Sequence, residues 1–522
     1  MVNRSRLIVN FLVCVHPDIL ISGWKLVNGC IYYLGCFTIN NNKITRSDRR
    51  DSMNSTALAL LKGCAQVEQS GKVTIFDQKK LRGEIIDQLV NLAVFGDKDQ
   101  KAMAYWLIWE LGNSLGTYPA SIHQFYMAIG RGEIARRLTV PAINLRAMTY
   151  DSARAAFKAA IQRGVGALIF EIARSEIGYT AQRPVEYFSV VMAGAIKEGF
   201  LGPLFVQGDH FQVSGKKYKD KPEEEVKAIE QLIQEAIQAG FYNIDIDTST
   251  LVDLSQSSVP EQQRANYELC ARFTSFIRQQ QPPGITISVG GEIGEVGGRN
   301  SDEIELRAFM DGFNQSKPPG LPGLSKISIQ TGTSHGGVVL PDGTLAQVAI
   351  DFNVLQELSK VSRSSYGMGG TVQHGASTLP DEAFNQFVTH EAVEVHLATG
   401  FQNIIYDHEK FHPNLKQTIY EYLKANHADE WKAGKTEEQF YYSTRKKGLG
   451  PFKNQMWELG EEIRLAIRQT LEEKFGFLFE QLQVGDTQEL VRKYVPLVEV
   501  EKKPADFGLK KIQEEDVSDL SD

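Results

Sequence analysis

The run Leu204-Phe-Val-Gln-Gly-Asp-His210 is apolar through its first half, and Gly208 clears its end for a carboxylate and an imidazole. Comparable short runs end at Asp247, Glu292, His335, His374 and Asp407. One Asp-His pair is weak information, but a series at successive strand ends is not. Three imidazoles, from His210, His335 and His374, leave a fourth position open on a zinc ion, as in a catalytic rather than a structural site. Neutral imidazole also suits other divalent transition ions. Small residues crowd two of the ligands. Gly332-Thr-Ser-His-Gly-Gly337 and His374-Gly-Ala-Ser377 offer backbone N–H groups and a hydroxyl to a phosphate, the anion nest of late barrel loops.

Such residues converge only if their strands are parallel and share one rim. From about residue 139 apolar runs alternate with amphipathic helical patterns: Val140–Leu145, Ala167–Ile172, the Leu204 run, Tyr242–Asp247, Thr286–Glu292, Lys326–Thr331, Thr371–His374 and Asn403–Asp407. Eight strand–helix units over about 270 residues have the count and size of a (β/α)8 barrel. The expected fold is therefore an α/β TIM barrel over 138–410. It is flanked by an N-terminal helical segment, 53–137, and a C-terminal helical segment, 411–500. Residues 1–52 form an extension of different composition, and 501–522 a loose charged tail. Asp245 interrupts the apolar pattern of the fourth strand, which places it in the barrel interior. Pro222 to Ala239 reads as a charged amphipathic helix with Gly240 as its C-cap. Trp106 and Trp109 read as core packing, and His123 as a structural histidine. His390, His396, His408, His412 and His427 read as surface or packing residues beyond the rim. Arg445, Lys446 and Lys447 read as a solvated basic loop.

Composition narrows the partners. With 42% hydrophobic and 23% charged residues the chain is an ordinary globular protein. A net charge of −8 gives no electrostatic footprint for nucleic acid. Cys14, Cys30, Cys36, Cys64 and Cys270 form no paired spacing, which suits a reducing, cytoplasmic compartment. No apolar run has the length of a membrane span.

The set Gly208-Asp-His210, Asp247-Thr-Ser249, Gly291-Glu-Ile-Gly-Glu-Val-Gly-Gly298, Gly332-Thr-Ser-His-Gly336 and His374-Gly-Ala-Ser377 resembles the class II, metal-dependent fructose-bisphosphate aldolases in order and spacing. The resemblance covers residues of about 138 to 410. It implies a lyase of carbohydrate metabolism, acting in glycolysis or gluconeogenesis on a sugar phosphate. By it, His210, His335 and His374 hold one catalytic Zn2+, and Glu292 and Asp247 serve a second or alternate metal position. Asp209 is the acid/base, and because the family's loop glutamates are replaced here, Glu295, Asp302 or Glu303 would have to substitute as second base, Glu295 being the first candidate. Gly336, Gly375, Ser377 and Asp407 contact phosphate. The resemblance further implies a homo-oligomer and, in some members, a monovalent cation.

The chain departs from the family at Leu340-Pro341, where a lysine is usual, and at Ile405, where an asparagine is usual. Arg299-Asn-Ser301 follows the double glycine where adjacent glutamates are usual. Two other readings follow: a non-catalytic companion subunit of a sugar-bisphosphate aldolase, and a metal-dependent lyase acting on another sugar phosphate or sugar acid.

Overall fold

Polar and apolar residues alternate along the central strands, and that alternation decides which side chains point inward. The computed structural model describes residues 56–294, 299–332, 340, 350–508 and 520, with the backbone of two strands nearer the N-terminus. The chain divides into two units, 1–52 and 53–522. Within the first, Trp24–Val27 pairs antiparallel with Cys30–Tyr33.

The second unit holds eight parallel strands. They are β1 (Val140–Asn144), β2 (Ile169–Ala173), β3 (Gly202–Gln212), β4 (Asn243–Asp247), β5 (Ser288–Glu292), β6 (Lys326–Ser328), β7 (Thr371–Gln373) and β8 (Glu394–Leu397). Each pairs with the next, and β8 pairs with β1, so the sheet closes into a (β/α)8 TIM barrel. An outer strand, Thr117–Ala120, adds in parallel to the first residues of β3.

Apolar side chains such as Phe170, Ile244, Ile246, Ile327, Val372 and Val395 are wholly buried. They occupy the strand positions that face the surrounding helices. The alternate positions carry Glu171, Gln207, Asp245, Lys326 and Glu394, also buried but polar. Barrel interiors are usually filled by branched aliphatic residues. Here a charged layer replaces them, and Asp245 does lie inside it, 2.8 Å from Lys326 Nζ. Gly290 makes the room, because a Cβ there would collide with Asp245 and come within 3.0 Å of Lys326 Cε.

The helices follow their local signals. Helix α1 (Lys98–Leu115) starts in a capping box built on Asp97 and Gln100. Helix α2 is Thr149–Gln162. Helix α3 (Pro222–Ala239) has Pro222 at its start and three glutamates in its first turn, and it ends at left-handed Gly240, φ 107°. Helix α4 spans Thr399–Tyr406, and α5, Glu461–Gln481, packs along α2 from the far end of the chain.

Three expectations are corrected. The eighth strand is Glu394–Leu397, whereas Asn403–Asp407 forms the end of α4 and the residue after it. A short apolar run does not distinguish a strand from a helical turn. The true strand is disguised by the polar residues it turns into the barrel. The start of the tail, residues 501–508, is also not loose. Trp106 Nε1 donates to the Lys502 carbonyl at 3.0 Å and Trp109 Nε1 to the Val500 carbonyl at 3.3 Å. Phe507 is buried beside Trp109, 6.1 Å between ring centroids. Finally, Arg445 is buried rather than solvated, between the rings of Tyr406 and Tyr442 at 5.3 and 4.8 Å.

Candidate metal centre and active site

Asp209 and His210 are consecutive, and a regular strand would send them to opposite faces. A β-bulge prevents this. Gly208 pairs with Ile244 and Phe211 with Ile246, so Asp209 and His210 together oppose the single residue Asp245. His210 takes a left-handed backbone, φ 37°, a conformation that costs a non-glycine residue energy. A side chain at Gly208 would strike the Phe211 ring that anchors the bulge.

His210 Nδ1 lies 3.3 Å from Asp247 Oδ2 and 3.4 Å from Glu292 Oε2, at the ends of β4 and β5. The His374 ring sits 4.1 Å from that of His210, centroid to centroid, and Ser328 Oγ is 2.9 Å from His374 Nε2. One ligand atom from each of His210, Asp247 and Glu292 falls within 4.8 Å of the others, as it does for Asp209, His210 and His374. These nitrogen and oxygen donors fit a divalent transition ion. The electrostatics agree. Burial, and then the Asp247 charge, push the Glu292 carboxyl up to about 8. Burial opposes ionisation of Asp247 as well, but hydrogen bonds from His210, Ser249 and Gln212 keep it below the usual carboxylate range. Buried acids crowded on one imidazole are relieved by a bound cation.

Asp209 is held from two sides. Asn144 Nδ2 donates to its Oδ2 at 2.9 Å, and His396 Nδ1 stands 3.1 Å from its Oδ1. Burial works against the charge, but His210 and His396 beside it keep the carboxylate ionised, well below its ordinary value. His396 therefore belongs to the site, not to the surface, and placing the eighth strand at 403–407 conceals it. Its ring lies 4.0 Å from that of His374, tilted by 48°, and its Nε2 meets Glu394 Oε1 at 2.6 Å. His396 Nδ1 also lies 3.1 Å from Glu171 Oε1, although hydrogen-bond geometry is met only with Asp209. Burial, then the neighbouring Asp209 charge, raise Glu171 well above the usual carboxyl range.

Beneath His396 lies Lys326, fully buried. Its ammonium donates to Gln207 Oε1 and Asp245 Oδ2, each at 2.8 Å, and to Glu394 Oε1. Three donors with three acceptors leave the ammonium satisfied. Tyr126, from the helix His123–Gly130, closes this layer by donating to Glu394 Oε2 at 2.5 Å. Alternation of polar and apolar residues in the eighth strand is the signal that could have revealed Glu394 and His396.

Of the residues expected in the site, Asp209, His210, Asp247, Glu292 and His374 come together. Gly375 and Ser377 line the same cleft, with Asn144, Arg146, His396, Ala398 and Thr399. Gly375 is left-handed, φ 70°, and Ser377 Oγ accepts from the Gly400 N–H at 3.2 Å. Glu295, His335 and Gly336 lie outside the described residues. Asp407 is not brought to the cleft. It follows the last residue of α4, its carboxylate 2.9 Å from Arg445 Nη1 and 3.1 Å from Lys416 Nζ.

Among the described residues no helix is long and apolar enough to cross a membrane. No curated protein matches the chain. Solved structures do. A putative fructose-1,6-bisphosphate aldolase from Coccidioides immitis is 16% identical with a TM-score of 0.39, covering 71% of this chain and 97% of that one. A fructose-bisphosphate aldolase from Campylobacter jejuni is 16% identical with a TM-score of 0.42, with the same coverage of 71% and 97%. A probable tagatose 6-phosphate kinase from Sinorhizobium meliloti is 16% identical with a TM-score of 0.45, covering 68% of this chain and 93% of that one. A family model described as fructose-bisphosphate aldolase class-II matches residues 133–466, from just before β1 into α5. With the match running over more than half of its length, this chain belongs to the class-II fructose-bisphosphate aldolase family.

Proposed function

We propose that the protein is a metal-dependent aldolase that breaks or forms a carbon–carbon bond in a ketose phosphate. The reference reaction is cleavage of fructose 1,6-bisphosphate to dihydroxyacetone phosphate and glyceraldehyde 3-phosphate. The reading is carried by the convergence of Asp209, His210, Asp247, Glu292 and His374 on one rim. His210 and His374, with His335, would hold a Zn2+ ion, and Asp247 and Glu292 would serve a second or alternate position. When bound, that ion would polarise the substrate ketone and stabilise charge developing on its oxygen.

The protein's own groups do the rest. Asp209, ionised and fixed by Asn144 and His396, takes the C4 hydroxyl proton as the C3–C4 bond breaks. The bonding pair passes toward C2, and the ketone oxygen takes the charge. A second acid, for which Glu295 is the candidate, returns a proton to C3 and releases the triose phosphate. Gly336, Gly375 and Ser377 are proposed phosphate contacts, and Asp407 is not, given its pairing with Arg445. The reading includes a cytoplasmic homo-oligomer, with a monovalent cation as a candidate activator.

The test is cleavage of fructose 1,6-bisphosphate by purified protein before EDTA, after it, and after Zn2+ is restored. Loss and rescue support the reading. Cleavage indifferent to EDTA overturns the metal mechanism.

A further inference from the structure

The helix His123–Gly130 lies ahead of β1 and ahead of the family-matched residues 133–466, yet one of its side chains reaches the barrel interior. Its start is tied to the first residues of β4 and β5. The Ile122 N–H donates to Asn243 Oδ1 at 2.9 Å, and the Ser288 N–H donates to Ser121 Oγ at 2.8 Å. Its later residues lie against the segment that leads into β7. A Cβ on Gly369 would come within 3.0 Å of Tyr126 Cβ, and one on Gly130 would sit 2.5 Å from the Met368 carbonyl oxygen. Two glycines therefore let this helix close on the barrel, at the end opposite the cleft.

Tyr126 is wholly buried. Its phenol, protonated near neutral pH, donates to Glu394 Oε2 at 2.5 Å. The two oxygens of Glu394 are then divided. Oε1 meets His396 Nε2 at 2.6 Å and also accepts from Lys326 Nζ and, at 3.0 Å, from Gln207 Nε2. Oε2 has Tyr126 as its one hydrogen-bond donor among the described residues. On its other side His396 Nδ1 stands 3.1 Å from Asp209 Oδ1. A line of three contacts thus joins a side chain outside the family match to the carboxylate proposed to move the proton.

Without the phenol, Oε2 is a buried carboxylate oxygen that has lost its donor, and such an oxygen costs more than the bond was worth. Every other donor to Glu394 lies on Oε1, so Oε2 regains a partner only if the carboxylate turns. Turning takes the acceptor off the His396 Nε2 axis, and hydrogen bonds weaken steeply away from that axis. The imidazole then loses the hold that aims its other nitrogen at Asp209.

We propose that Tyr126 is a positioning residue of the active site: by holding Glu394 it sets His396, and through His396 the orientation of Asp209. The N-terminal helical segment thereby contributes to the reaction without touching substrate. The inference rests on the aldolase reading above for what Asp209 does, but not for the contacts that hold it.

The experiment compares wild type, Tyr126→Phe, His396→Gln, the double variant and Phe125→Leu. Phe125 is wholly buried on the same helix, its ring 6.5 Å from that of Tyr494. Phe125→Leu therefore loosens the packing of the helix with the phenol retained. The readouts are kcat and KM for fructose 1,6-bisphosphate, zinc bound per chain, and the histidine ring resonances by NMR. The His396 resonances are assigned by their absence from His396→Gln. Tyr126→Phe is expected to lower kcat roughly 10-fold with KM and bound zinc unchanged, and to shift the His396 resonances. In the His396→Gln background the same substitution should cost nothing more, because residues acting along one line are not additive. Phe125→Leu should match wild type in kcat and in the His396 resonances. A multiplied loss in the double variant, or an equal loss in Phe125→Leu, would make Tyr126 a packing residue and overturn the inference. So would His396 resonances that ignore Tyr126→Phe. If wild type cleaves no ketose phosphate, the proposed function fails, and the His396 resonances decide this inference by themselves. If wild type and Tyr126→Phe cleave it equally fast, the proposed function stands and this inference fails.

Discussion

His396 Nδ1 stands 3.1 Å from Asp209 Oδ1 while its other nitrogen is held by Glu394, so this imidazole is clamped between two carboxylates. It can orient Asp209 only from that clamped position. His396→Gln keeps a polar side chain but not the two-sided geometry. We expect kcat to fall about 100-fold, the usual cost of a small misplacement of a catalytic group, with metal content unchanged. Steady-state kinetics alongside zinc analysis would check this. Undiminished kcat would show that His396 does not position Asp209.

His374 is expected to be indispensable to the ion. His374→Ala should lower the zinc bound per chain after dialysis and remove aldolase turnover, while the circular dichroism of the barrel is retained. A variant that keeps full metal stoichiometry would remove His374 from the ligand set.

Lys326 neutralises a layer that contains Asp245 and Glu394, all three at most 5% exposed. Lys326→Met leaves both acids without their cation. The expected loss is about 3–5 kcal/mol in denaturant unfolding, the cost of breaking a buried pair from one side. Adding Glu394→Gln and Asp245→Asn should recover most of it. A single-variant loss below about 1 kcal/mol would mean that water reaches the layer.

Acid stability has a named contributor in His123. Burial, assisted by the Arg278 and Arg131 charges, lowers its pKa from 6.5 to about 4. The folded state therefore refuses a proton that the unfolded chain accepts. The contribution is fully present above pH 6.5 and is lost as pH falls toward about 4. Its full size is about 3 kcal/mol. The difference in unfolding free energy between wild type and His123→Gln should shift by that amount between pH 7 and pH 4. A pH-independent difference would show that His123 is already charged in the fold.

The barrel is legible in the sequence because seven of its strands carry apolar runs with a helical pattern between them, and because their ends bear ligand-type residues. Asp209, His210, Asp247, Glu292 and His374 can be read from those ends alone. The eighth strand cannot. Glu394 and His396 are polar inside the barrel, where apolar residues are the usual expectation, so Glu394–Leu397 resembles a loop and a turn of α4 resembles a strand. Asp407 is lost from the site with that strand, and His396 is missed. Tyr126 is invisible for another reason. It meets Glu394 only in three dimensions, from a helix that precedes the barrel. The bulge at His210 leaves no trace in the residue types beyond Gly208.

The contact of Val500 and Lys502 with Trp109 and Trp106 has a bearing on how the protein is made. Helix α1 precedes the first barrel strand, and its two indoles are closed over by nearly the last described residues of the chain. Helix α5, which packs on α2, likewise arrives late. During synthesis from the N-terminus, the emerging barrel carries an uncovered apolar seam until residues 500–507 leave the ribosome. The seam is thus closed only once residues 500–507 are available, and a chain that stops before them would leave it exposed to aggregation or to quality control.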